Sequence, residues 1–247
     1  MAENSPKARS TEPVADPLGV LRAQMEGRLD VCARLMGRGV QIIDPMTTYI
    51  GKGVEIGAET VIYPNTTVSG ASAIGRRCQI GPNTVIVDSR LGDEVTVLAS
   101  VLEGVTIEGG TDIGPFSHLR PRTHVGREVH IGNFVEVKAS RLGSGSKIGH
   151  FCYIGDAQVG SGVNIGAGTV TCNYDGRKKN RTVIEDGAFI GSDTMLVAPV
   201  RVGRGAVTGA GAVVTSDVPD GTRVAGVPAR AIKRPNPQRR RKGDGQR

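Results

Sequence analysis

EIGAETVIYPNTTVSGASAIGRRCQIGPNTVIV, residues 55–87, carries an aliphatic residue at every sixth position: Ile56, Ile62, Val68, Ile74, Ile80 and Ile86. Neither an α-helical face, with its period of 3.6, nor a two-residue strand alternation produces this spacing. A short strand and a turn, repeated, does. The aliphatic residue points inward, and the glycine or small residue that follows eases the corner. Three such units close one triangular coil of 18 residues. The sequence therefore predicts an all-β, left-handed parallel β-helix of hexapeptide repeats, with a short helix in front.

The same ruler runs outward from this stretch. It begins at Ile50, slips between Leu91 and Ile107, and resumes through Ile113, Leu119, Val125, Ile131 and Val137. After five-residue steps to Leu142 and Val159 it reaches Ile165 and Thr171, then returns as Ile184, Ile190, Leu196, Val202, Thr208 and Val214. Before it, Leu18, Leu21, Met25, Leu29, Cys32 and Met36 form one stripe of an amphipathic helix, with Asp16 as N-cap, Pro17 in the first turn and Gly37 and Gly39 as the stop. The expected organisation is an unstructured segment 1–17, a helical arm 18–40, a β-helix 41–232 and a basic unstructured tail 233–247.

Composition agrees with a glycine-cornered aliphatic column: 36 glycines, 3% aromatics and no tryptophan in 247 residues. Four cysteines without a close pair point to reduced thiols. Neither a signal-like h-region nor an apolar run of membrane-spanning length is present in the sequence, so the expectation is a cytoplasmic protein without membrane contact. The net charge of +7 is concentrated in residues 233–247, which carry seven Lys/Arg against one Asp. With the body nearly neutral and few aromatics to stack bases, nucleic acid is not an expected partner.

The ruler makes outward positions readable. Arg120 and Lys138 each follow an inward residue and lie 18 residues apart, so they stack on one face as like charges. Neither LRP nor VKA contains an acidic residue, which makes a bound anion such as phosphate attractive. His118, His124 and His130 fall on three different faces of one coil and cannot converge on a metal within one chain. His150 stands apart in GHFCYIG, near CNYDGRKKNRTV, where thirteen residues separate Thr171 from Ile184 and the extra chain of loop 172–183 must leave the coil.

Residues 114–184, GPFSHLRPRTHVGREVHIGNFVEVKASRLGSGSKIGHFCYIGDAQVGSGVNIGAGTVTCNYDGRKKNRTVI, together with GSDTMLVAPVRVGRGAVTGAGAVVT, resemble a specific family. It is the acetyltransferase domain of the bacterial bifunctional N-acetylglucosamine-1-phosphate uridylyltransferase/glucosamine-1-phosphate acetyltransferases. The likeness covers roughly residues 50–218, and the helix resembles that family's linker arm. No glycine-rich nucleotide loop precedes residue 50, so only the acetyl-transfer half is expected. The resemblance implies acetyl-CoA as co-substrate, no metal, glucosamine 1-phosphate as acceptor, and a homotrimer with sites between subunits.

Carried over by motif, it implies His150 as general base and Asn173 as the residue positioning the amine. Arg120 and Lys138 are implied at the sugar phosphate; Tyr153, Asn164 and Tyr174 at the substrate; and Lys179 on a loop reaching a neighbouring subunit. Ala167, Ser192 and Ala210 are implied along the coenzyme. Val227 stands where the family carries an arginine for the coenzyme phosphates, and Arg223, Arg230 and Lys233 are the candidates to replace it. Neutral imidazole suits the removal of a proton from an attacking amine. Cys152 and Cys172 have no histidine arranged as a nucleophile pair, so direct transfer without an acyl-enzyme is expected.

Overall fold

A computed structural model describes residues 16–232. The expected tail, including Lys233, and residues 1–15 lie outside them. The chain winds as a left-handed parallel β-helix whose strands, two or three residues long, stack into three flat faces. Face A runs from Gln41–Ile42 to Arg230–Ala231, face B from Tyr49–Ile50 to Val213–Val214, and face C from Glu55–Ile56 to Val200–Val202. All pairings between strands are parallel except a closing hairpin, in which Val224 pairs with Ala231 and Ala225 with Arg230.

Register follows the ruler. Ile56 pairs with Ile74, Ile62 with Ile80, and Val68 with Ile86, so each inward side chain lies on its equivalent in the next coil. The column is buried throughout from Ile50 to Val214 and includes Thr171 and Thr208. Glycine after an inward residue is required by the close approach of stacked coils. A Cβ on Gly57, for example, would lie 2.7 Å from the backbone N of Arg76.

The slip between Leu91 and Ile107 does not interrupt the column. Leu91, Val97, Leu102 and Ile107 are all buried, joined by steps of six, five and five residues. At five-residue corners the left-handed residue sits two places after the inward one, as with Asp88, Ala99, Gly104, Ala139 and Asp156. At most six-residue corners it sits three places after, as with Asn65, Phe116 and Phe151. Moving one left-handed residue therefore shortens a corner while keeping the next side chain inside.

The helix Pro17–Met36 is capped as expected: the Asp16 carboxylate accepts the Gly19 N–H at 2.9 Å. Its predicted stripe is corrected. Leu18, Leu21, Met25, Leu29 and Met36 are exposed, whereas Val31, Cys32 and Leu35 are buried against the first coil. Only the last turns reach the coil mouth; the rest of the helix overhangs face B across an apolar groove of about 800 Å³. No helix among the described residues is long and apolar enough to cross a membrane.

Candidate functional site

His150, Asn173, Arg120, Lys138 and the small residues singled out from the sequence collect along the two edges of face B. At the corner between faces A and B, His150, Ala167, Ser192 and Ala210 occupy equivalent places on successive coils. A backbone ladder joins them: the Gly168 N–H donates to the His150 carbonyl at 2.8 Å, Asp193 N–H to Ala167 at 2.7 Å, and Gly211 N–H to Ser192 at 2.8 Å. Coils repeat at about 4.8 Å, so the imidazole heads a straight row of small side chains along the axis.

The row continues beyond His150 to a residue the sequence reading missed. The side chain of Asn133, one coil earlier, meets His150 Nδ1 through its Oδ1. A carboxamide oxygen only accepts, so with Asn133 in this orientation its partner is an Nδ1–H, and Nε2 of the exposed imidazole is the nitrogen open to a ligand. Asn133 was detectable only as the residue 17 positions before His150, after allowing for one five-residue corner. Beside the row, Phe116, Phe134 and Phe151 stack at 5.4 and 5.2 Å between ring centroids and remain exposed. Cys152 is buried, with Sγ on the His150 and Gly166 carbonyls at 3.3 Å, and burial pushes its thiol up, which disfavours the reactive thiolate.

The opposite edge, between faces B and C, holds the cations. Leu119 pairs with Val137, and the Arg120 N–H donates to the Val137 carbonyl at 2.8 Å, which stacks Arg120 and Lys138 as the spacing required. The sequence expectation of two unaccompanied charges is corrected for Arg120: Glu136, on the same face, accepts from its guanidinium at 2.8 Å and holds its pKa up. Lys138 has no such partner among the described residues. Its contact with Lys179 and the like charge of that side chain push it below the ordinary lysine range.

Gly155 follows Lys138 in register and leaves room above the strand. Asn173, buried, lies over it; its Nδ2 donates to Asp156 Oδ2 at 2.6 Å and reaches the Tyr153 hydroxyl at 3.4 Å. A Cβ on Gly155 would stand 2.7 Å from that Nδ2. The chain then leaves the coil between Cys172 and Thr182. Tyr174 and Lys179 bridge antiparallel, and Asp175 accepts the Arg177 and Lys178 N–H groups, each at 2.8 Å, and the Asn180 amide. Those bonds, first the Lys178 N–H, lower the Asp175 carboxyl to about 2. The exposed Tyr174 hydroxyl donates to the Gly176 carbonyl at 2.8 Å, within its own loop.

Other candidates stand elsewhere. Asn164 lies on face A between Lys147 and Phe189, and Arg223 lies farther along that face beside Val207. Arg230 is exposed in the closing hairpin, and Val227 is exposed at its turn. His118, His124 and His130 do sit on faces B, C and A, each against a carboxylate of the preceding coil: Glu103 at 2.8 Å, Glu108 at 2.9 Å and Asp112 at 2.6 Å.

The corner histidine heading a row of small residues, with cations on the adjoining face, is carried on a hexapeptide-repeat β-helix. Residues 181–216 match the family described as bacterial transferase hexapeptide (six repeats). The chain is 55% identical over 186 residues to "Bifunctional protein GlmU" of Carboxydothermus hydrogenoformans, covering 75% of this chain and 42% of the relative. It is 50% identical over 192 residues to the protein of that name from Thermotoga maritima (78% and 43%), and 46% identical over 219 residues to that of a Geobacillus species (89% and 48%). The chain matches these bifunctional proteins over most of its own length and spans less than half of theirs.

Solved structures agree on the fold. The UDP-N-acetylglucosamine acyltransferase of Francisella novicida superposes with a TM-score of 0.53 at 18% identity, covering 77% of this chain and 68% of that one. That of Campylobacter jejuni superposes with a TM-score of 0.52 at 17% identity, covering 78% and 74%.

Proposed function

We propose that the protein transfers the acetyl group of acetyl-CoA to the amine of glucosamine 1-phosphate, giving N-acetylglucosamine 1-phosphate for UDP-N-acetylglucosamine and cell-envelope synthesis. The observation that carries this reading is the row in which His150, its Nδ1 engaged by Asn133, heads Ala167, Ser192 and Ala210. Small side chains let an extended thioester arm lie against the backbone and end at Nε2. The amine nitrogen attacks the carbonyl carbon while Nε2 takes its proton; the C–S bond then breaks, and the thiolate of CoA leaves and is protonated. Arg120, Lys138 and Lys179 hold the phosphate, whose charge offsets their mutual repulsion. Tyr153, Asn164 and Tyr174 contact the sugar, and Asn173 orients the amine. Arg223 and Arg230, with Lys233, serve the coenzyme phosphates in place of the arginine replaced by Val227.

A trimer accounts for the distribution of these groups. Side chains on different faces of a triangular coil diverge, so Asn164 on face A and Lys138 on face B of one chain point away from any common small ligand. Both can line one site when the corner of one copy meets the face of the next. The test is release of the CoA thiol across a panel of amino-sugar phosphates and nucleotide-linked amino sugars, with identification of the product. Turnover restricted to a nucleotide-linked amine would replace the acceptor and keep the reaction class.

A further inference from the structure

Asp156 has no part in the roles above, yet its position is fixed from three sides. Its backbone is in the left-handed region at φ 50°, its N–H donates to the Lys138 carbonyl at 3.0 Å, and its carbonyl accepts the Thr182 N–H at 3.3 Å. It thus ties the strand bearing Lys138 to the point where the long loop rejoins the coil. Its carboxylate accepts from Asn173 Nδ2 at 2.6 Å.

That contact decides which end of Asn173 is presented. A carboxamide can rotate by half a turn and exchange a donor for an acceptor at little cost in shape. A carboxylate accepts only, so Asp156 selects the orientation with Nδ2 toward itself. Among the described residues, no protein donor then reaches Asn173 Oδ1. An acceptor-only oxygen takes an N–H of an ammonium or amine and holds the nitrogen in one direction.

We propose that Asp156 is a positioning residue that fixes the carboxamide orientation of Asn173, and thereby the acceptor oxygen that the site offers to the substrate amine. This rests on the reading of Asn173 as the residue that orients the acceptor amine. The charge of Asp156 also lies near Lys138 and Lys179, so the test must separate the two effects.

The variants are Asp156→Asn, Asn173→Ala and the two combined. Asparagine tolerates positive φ and retains an oxygen, so the coil is expected to fold with an unchanged Tm. In Asp156→Asn, either end of Asn173 can face the neighbour. Steady-state thiol release is expected to show kcat/KM for glucosamine 1-phosphate lower by about 10- to 100-fold, with KM for acetyl-CoA unchanged. On the Asn173→Ala background, the same substitution should cost less than about twofold more. Full activity of Asp156→Asn beside an impaired Asn173→Ala, or losses that multiply, would overturn the positioning role alone. Full activity of Asn173→Ala would overturn it together with the amine-orienting role of Asn173.

Discussion

Asn133 and His150, on adjacent coils of one corner, are joined side chain to side chain through Asn133 Oδ1 and His150 Nδ1. A base that must accept at Nε2 needs its proton on Nδ1, and Asn133 Oδ1 is an acceptor placed to hold it there. Asn133→Ala is expected to lower kcat by about 10- to 100-fold while KM for both substrates holds, because the ring keeps its place but not its tautomer or orientation. Equal kcat in the variant and the parent would remove Asn133 from the mechanism.

Lys138 is held close to Lys179 without a carboxylate of its own. Lys138→Ala is expected to raise KM for the sugar phosphate with little change for acetyl-CoA, and to leave Tm unchanged or raise it slightly at low salt. Because the folded pKa of Lys138 lies below the unfolded value, the unfolded chain binds more protons as pH approaches the ordinary lysine range, so stability attributable to this group rises with pH there. Phosphate reverses the preference by favouring the charged form. Anion affinity should therefore fall across the same alkaline window, as calorimetric titration at several pH values would show.

Gly155 leaves the space that Asn173 and Tyr153 occupy. Gly155→Ala puts a methyl group 2.7 Å from Asn173 Nδ2 and is expected to cost about 1–3 kcal/mol in denaturant unfolding, with a larger proportional loss of acetyl transfer. A variant of normal stability and rate would mean that the carboxamide does not need that space.

Asp175 organises the loop turn. Its folded pKa is lowered to about 2, so its contribution is fully present above the ordinary carboxylate range and is lost as pH falls toward 2. Asp175→Ala is expected to open Arg177, Lys178 and Lys179 to trypsin at neutral pH while the coils resist. Equal cleavage of parent and variant would show that the turn does not depend on this carboxylate.

The coil was legible because inward aliphatic residues impose a period that no other element shares. The five-residue corners at Asp88, Ala99 and Gly104 were less so: the shift of one left-handed residue that shortens them leaves no fixed residue type behind. Arg120 and Lys138 were placed correctly, but Glu136 was overlooked because it lies before the inward Val137 and bends round to its neighbour. Asn133 and Asp156 act from adjacent coils, 17 residues from their partners, where chain order gives no hint of contact. The helix misled for a different reason. Its apolar stripe is real, but only Val31, Cys32 and Leu35 reach the coil.

The central claim is that His150 accepts the proton during direct acetyl transfer to the amine of glucosamine 1-phosphate. The measurement is the rate of CoA thiol release with that acceptor for the parent and His150→Ala, with acetyl-CoA affinity determined on both. The expected result is turnover that requires the amine and falls by about 10²- to 10⁴-fold in the variant, with acetyl-CoA still bound. A variant that turns over at the parent rate would contradict the assignment.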